Sequence, residues 1–268
     1  MATLLIDAGP ITTIRLNRPD VRNAFNEELI GELTAWARSV PDDGSVRAVV
    51  LQGEGPVFCA GADLNWMSKV AGYSREQNAA DVQQAAALYH ALDNLPVPLI
   101  GRIHGAALGG GAGLAAVCDM VVTTHDTIFG FTEVTLGIVP ATISPYVVRK
   151  IGLSAARELC LSGARFPAAR AKEIGLVHEV VTAGELTEAV NRHVAQFRLA
   201  SPSAFSATKR LLRDVYGKQP SEVMALTVET IATQRASPEG QEGMKAFLEK
   251  RRPSWTAASE PANRSEKK

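Results

Sequence analysis

Three consecutive glycines, Gly109-Gly110-Gly111, sit inside the longest apolar stretch of the chain, Gly105 to Val117, and no other feature constrains its fold so tightly. A run this rich in Gly and Ala has little side-chain volume, so it reads as a loop leading into a small-residue helix packed in the interior. It falls short of the roughly 18–20 apolar residues that a membrane-spanning helix needs, so no membrane partner is expected. Free amides at a helix start are ready to meet a negative oxygen, and the helix dipole adds to that attraction. Taken alone, the run also fits a tight turn or a close helix contact.

The segments around it alternate. Ile11 to Leu16 has the apolar–polar pattern of a half-buried strand, and Asn17-Arg18-Pro19-Asp20 ends it with turn chemistry. Asn26 followed by Glu27 and Glu28 predicts a helix start, with Leu29, Ile30, Leu33, Trp36 and Ala37 at helical spacing. Arg47–Gly53, Leu99–Ile103, Asp119–Thr124 and Thr127–Gly130 read as strands, and Ser74–Leu95 as a helix. Beyond about Pro145 every segment reads as helical: Pro145–Ile151, Ser154–Leu161, Pro167–Ile174, Glu185–Leu199, Pro202–Val215, Pro220–Arg235 and Gly240–Lys250. The pattern predicts an α/β core with a helical C-terminal region. The expected division is a core over residues 1–195, helices over 196–255, and a disordered polar tail over 256–268.

Formal net charge is +0, with 28 Lys+Arg against 28 Asp+Glu, which argues against a nucleic-acid partner. Cys59, Cys118 and Cys160 are too few and too scattered for a disulfide framework and read as reduced thiols. Met1 to Asp7 shows no basic region of the signal-peptide kind, so a cytoplasmic setting is expected. The five histidines are too dispersed for a metal cluster, so no metal site is expected.

A second segment, Phe58-Cys59-Ala60-Gly61-Ala62-Asp63-Leu64, follows the Arg47–Gly53 strand and is also built of small residues, which lets a ligand approach the main chain closely. Neither glycine run fits a phosphate loop: Gly109-Gly110-Gly111 lacks the Lys-Ser/Thr of GxxxxGK[ST] and does not open a first-strand GxGxxG. The two segments, in this order and at this separation, resemble the two signatures of the crotonase (enoyl-CoA hydratase/isomerase) superfamily. The resemblance extends to Arg22-Asn23-Ala24-Phe25-Asn26, Phe129 to Pro140, Phe166 to Val177 and Phe247 to Pro253, and so covers roughly residues 5–255.

The resemblance implies a spiral of β-β-α units with a helical trimerisation region, and a homo-trimer or dimer of trimers. It implies an acyl-CoA thioester as substrate, with coenzyme A part of that substrate and no separate cofactor. Its oxyanion hole is expected from the amides of Ala60 and Gly110, because a reacting thioester puts negative charge on its carbonyl oxygen and two preorganised donors lower that barrier. Glu133 is expected to move the proton. Arg22, Ala24, Ala60, Ala62, Asp63, Leu64 and Gly110 are expected to line the substrate site. Phe247 and Lys250 are expected to reach the coenzyme A of a neighbouring subunit, the lysine meeting phosphate. Asp63 is also expected to fix its loop, and His104 to be satisfied by backbone.

The sequence departs from the family pattern at Gly113, where two-glutamate hydratases carry a second glutamate. It departs again over Pro140–Val147, which resembles methylglutaconyl-CoA-type hydratases acting on branched or carboxylated acyl chains. Thr142 and Ser144 there offer a polar group or a helix cap. Two activities fit a single Glu133: hydration of a 2-enoyl-CoA, or Δ3,Δ2-enoyl-CoA isomerisation by a proton shuttle. A non-catalytic scaffold or RNA binder is the reading from a different class.

Overall fold

The computed structural model describes residues 2–257. Nine strands run in chain order: β1 Leu4–Asp7, β2 Ile11–Leu16, β3 Ala48–Gly53, β4 Leu99–Ile103, β5 Ala106–Leu108, β6 Met120–Thr124, β7 Ile128–Gly130, β8 Arg165–Pro167 and β9 Glu179–Val181. One sheet has the order β1-β2-β3-β4-β6-β9, antiparallel between β1 and β2 and parallel elsewhere. A second sheet orders β5-β7-β8. The chain alternates between them, β4 then β5, β6 then β7, β8 then β9, with helices between the pairs. That alternation is the expected β-β-α spiral.

The helices α1 Glu27–Ser39, α2 Leu64–Val70, α3 Arg75–Asp93, α4 Gly110–Val117, α5 Ser144–Ser162, α6 Ala168–Glu173 and α7 Leu186–Phe197 cover the sheets. Local chemistry sets their starts. Asn26 caps α1, its side chain accepting from the Leu29 amide at 3.0 Å, and Ser74 forms a capping box with Gln77 on α3. The main core lies among β2, β3, β4, α1, α3, α4 and α5, and a smaller one lies beneath α7. The smaller is all Leu, Ile, Val and Ala, the composition expected where parallel strands are covered by helices, and the main core adds Phe, Tyr and Cys side chains to these.

Three helices follow, α8 Pro202–Val215, α9 Pro220–Ala236 and α10 Pro238–Leu248, and each opens with proline, whose fixed φ suits a first helical turn. α8 packs on α9, and α9 on α10. Arg47 ties this region to the sheet by donating to the carbonyls of Arg198 and Ala200 at 3.0 and 2.8 Å.

Two expectations need correction. The region beyond Pro145 is not all helical, because β8 pairs with β7 and β9 with β6; three-residue strands carry too little pattern to be read locally. Pro145–Ile151 and Ser154–Leu161 are two helical segments, as expected, parted within α5 at Gly152, whose φ of 75° and ψ of 161° are not helical. Thr256 and Ala257, expected to open the disordered tail, belong to a last helical turn, α11 Ser254–Ala257; the rest of that expectation, residues 258–268, lies outside the described residues.

Candidate active site

The first small-residue loop is held almost entirely by main-chain hydrogen bonds. The buried Asn23 side chain donates to the carbonyls of Glu54 and Val57 at 2.7 and 2.9 Å, folding the chain back after β3. Cys59 then pairs with Ala107 as an isolated bridge, its amide donating to Ala106 and its carbonyl accepting from Leu108, each at 3.0 Å. Phe25 grips the loop two residues on: its amide donates to the Gly61 carbonyl at 2.7 Å and its carbonyl accepts from Asp63 at 2.9 Å.

This arrangement corrects the expected oxyanion donor. The Ala60 amide donates to the Arg22 carbonyl at 3.0 Å and is not free to meet a ligand. The amide left over is that of Ala62, which donates to no protein acceptor among the described residues although both of its neighbours are bonded to Phe25. Ala62 itself is exposed.

The second segment is held by packing. Gly109, at φ 51°, donates to the Gly130 carbonyl at 2.8 Å and precedes α4, so Gly110 is a first helical residue whose amide has no partner within the helix. Gly109 is a glycine for its positive φ, and Gly110 and Gly111 are glycines because nothing larger fits. A Cβ on Gly110 would lie 2.7 Å from the Phe25 ring and 2.8 Å from the Tyr89 hydroxyl, and one on Gly111 would lie 2.6 Å from the Cys59 carbonyl. The two segments touch: a Cβ on Gly61 would lie 3.1 Å from the Leu108 carbonyl, and one on Gly109 would lie 3.9 Å from Gly61 Cα.

Glu133 completes the convergence. It starts a short 3-10 turn, Glu133–Leu136, and its Oε1 lies 3.5 Å from where a Gly109 Cβ would be. Its Oε2 is buried without a hydrogen-bond partner. Burial pushes the Glu133 carboxyl above the usual glutamate range, with its own backbone amide opposing only in part. A proton acceptor with a raised pKa beside two unpartnered amides is suited to general acid–base work on a carbonyl compound.

Gly113 faces the same region. A Cβ there would lie 2.3 Å from Ile143 Cγ2 and 3.0 Å from the Tyr89 ring. The place of a second carboxylate is thus filled by apolar side chains. Ser144 does not cap α5; its hydroxyl donates to the Ala141 carbonyl at 3.0 Å, and no side chain caps that helix.

Of the other expected residues, Asp63 caps α2, accepting from the Asn65 amide at 2.8 Å, and is 4% exposed. Burial alone would raise its carboxyl, but the Arg18 guanidinium at 2.8 Å and the amides of Trp66 and Asn65 outweigh that and hold it below the usual range. Leu64, Arg22 and Ala24 border the same loop. Phe247 and Lys250 are not brought to it: they lie at the end of α10, which packs on α8 and α9. His104 donates to the Gly55 carbonyl at 2.8 Å. Cys59 and Cys118 are buried, which pushes both thiols up to about 12. The residues missed are Arg18, Tyr89 and Ile143, whose only sequence signal is an arginine in a turn and apolar positions on helices. Among the described residues no three His, Cys, Asp or Glu side chains group as metal ligands, and no helix is long and apolar enough to cross a membrane.

Comparison with known proteins gives the family and the fold. Residues 7–258 match the family described as enoyl-CoA hydratase/isomerase. The chain is 32% identical over 246 residues to the 2,3-dehydroadipyl-CoA hydratase of Escherichia coli K12, covering 91% of this chain and 94% of that relative. Among solved structures, Pseudomonas aeruginosa AtuE is similar with a TM-score of 0.91 and 38% identity, covering 94% of this chain and 99% of the other. An enoyl-CoA hydratase from Shewanella pealeana is similar with a TM-score of 0.90 and 37% identity, covering 94% and 96%.

Proposed function

Because the chain belongs to the enoyl-CoA hydratase/isomerase family and has its crotonase fold, we propose that it adds water across the double bond of a 2-enoyl-CoA thioester with a branched or carboxylated acyl chain. The observation that carries this reading is one convergence: two unpartnered amides, Ala62 and Gly110, beside the buried, unpartnered carboxyl oxygen of Glu133. The amides receive the thioester oxygen as it becomes an oxyanion, and the dipole of α4 favours the same charge. Glu133 takes a proton from water as the water oxygen bonds to C3, and returns that proton to C2 as the enolate collapses. Ala60 serves by holding Arg22 and not by donating to substrate.

Isomerisation is the second reading, favoured by the Ile143 side chain where a second acid would stand. There Glu133 takes a proton from C2 of a 3-enoyl thioester and returns it at C4, with no water. The test is turnover of crotonyl-CoA, a branched 2-enoyl-CoA and a 3-enoyl-CoA with product mass as readout. A water adduct supports hydration, a mass-neutral shift supports isomerisation, and no turnover of any thioester overturns both.

The assembly we propose is a homo-trimer or a dimer of trimers in the cytoplasm. Exposed apolar side chains on the C-terminal helices support it, among them Leu212, Tyr216, Met224, Val228, Phe247 and Leu248. In that assembly Phe247 and Lys250 meet a neighbouring subunit's coenzyme A. Light scattering at three or six times the 28.5 kDa chain mass is expected.

A further inference from the structure

We propose that Tyr89 is a positioning residue for the reaction, its hydroxyl holding the Gly110 carbonyl and with it the first turn of α4, from which the Gly110 amide is presented to the oxyanion. This rests on the assignment of Gly110 as a donor. An oxyanion donor works only if it is already oriented before charge develops. Glycine is the residue least able to orient itself, since no Cβ restricts φ and ψ. The peptide carrying the Gly110 N–H is held through its Gly109 carbonyl, which accepts from the Gly113 amide at 3.1 Å, and Tyr89 holds the next peptide from α3, so that both sides of Gly110 are fixed.

The Tyr89 hydroxyl donates to the Gly110 carbonyl at 3.0 Å, using a lone pair beyond the one that α4 itself engages. The same oxygen lies 2.8 Å from where a Gly110 Cβ would be, so it also fills the space beside the Gly110 Cα. The ring is itself immobilised. It is 3% exposed, packs edge-on to Phe25 at 6.5 Å between centroids and 81°, and meets Tyr146 at 6.2 Å. Its Cε1 edge lies 3.0 Å from the place of a Gly113 Cβ, so one side chain supports the loop at both glycines. Burial raises the phenol well above its ordinary value, so it stays a donor at any working pH.

Tyr89→Phe removes the hydroxyl and keeps the ring. The expected result is a kcat lowered about tenfold, equivalent to about 1.4 kcal/mol of barrier, with KM within about twofold. A merely structural role would move melting temperature and leave the chemistry of bound substrate alone. The direct readout is therefore the infrared carbonyl stretch of a bound 2-enoyl-CoA, compared in Glu133→Gln and in the Glu133→Gln/Tyr89→Phe double variant, neither of which turns it over. Tyr89 as a positioning residue predicts a red shift in the first and a smaller, broader one in the second. An equal shift in both overturns the positioning role and leaves the oxyanion assignment standing. No shift in Glu133→Gln overturns the oxyanion assignment and Tyr89 with it. Leu92→Val, on the same buried face of α3, controls for general loosening. If it reduces the red shift as much as Tyr89→Phe does, the hydroxyl is not the cause.

Discussion

The two small-residue segments bring the same group, a free amide, to the same place by opposite means. The loop carrying Ala62 is strung on hydrogen bonds shared with Arg22, Phe25 and Ala106 and anchored by the pairing of buried Asp63 with half-buried Arg18. The turn carrying Gly110 is wedged between Phe25, Tyr89, Cys59 and Ile143, with less than a methyl group of free room at Gly110, Gly111 and Gly113. The first therefore tolerates small changes of side chain and depends on main-chain partners, while the second depends on volume.

The largest expected effect comes from Gly113→Glu. Restoring the family's second acid would drive a Cβ into Ile143, and such overpacking costs about 1–3 kcal/mol or more. The protein should lose stability and gain no activity; a variant that melts like the parent would show that the turn is not governed by volume. Gly110→Ala should lower kcat about 100-fold, because the methyl group driven against Phe25 and Tyr89 displaces the amide, a loss comparable to that of one oxyanion donor, whereas Ala62→Gly should change it by less than about threefold, because its amide stays where it is. Similar losses in both would erase the contrast.

Arg18→Ala leaves the Asp63 carboxylate buried without its cation and should cost about 2 kcal/mol of stability, raising KM more than it lowers kcat. The sign with pH is fixed by the lowered Asp63 pKa: its contribution is full above the unfolded value of about 3.9 and is lost as pH falls through the lower folded one. Acid melting curves should thus converge for the parent and Arg18→Ala. The smallest effect is a displaced limb in the rate profile. Glu133 must be ionised to accept a proton, so kcat/KM should fall on the acid side with a midpoint above the ordinary glutamate value of about 4.3. A midpoint at or below that value would contradict its burial.

Much of this was legible in the chain. Asn26 before Glu27 and Glu28 places the start of α1, and the alternation over Ile11–Leu16 survives as Thr12, Ile14 and Leu16 buried on one face. The glycine run announced both a helix start and a lack of room. What was not legible depends on partners distant in sequence. β8 and β9 exist because β7 and β6 offer edges to pair with. Ala60 and Ala62 are alike as residues, and only the Arg22 carbonyl decides which amide is free. Tyr89 and Ile143 look like ordinary core until their atoms are seen against Gly110 and Gly113.

The claim that the site is built on the Ala62 and Gly110 amides is most directly tested by proton NMR of protein labelled with nitrogen-15 at Ala and Gly, with Glu133→Gln present to stop turnover. On addition of a 2-enoyl-CoA, the Ala62 and Gly110 amide protons should move downfield as they bond the thioester oxygen, and the Ala60 proton, already held by Arg22, should stay in place. A downfield move at Ala60 with none at Ala62 would contradict the account.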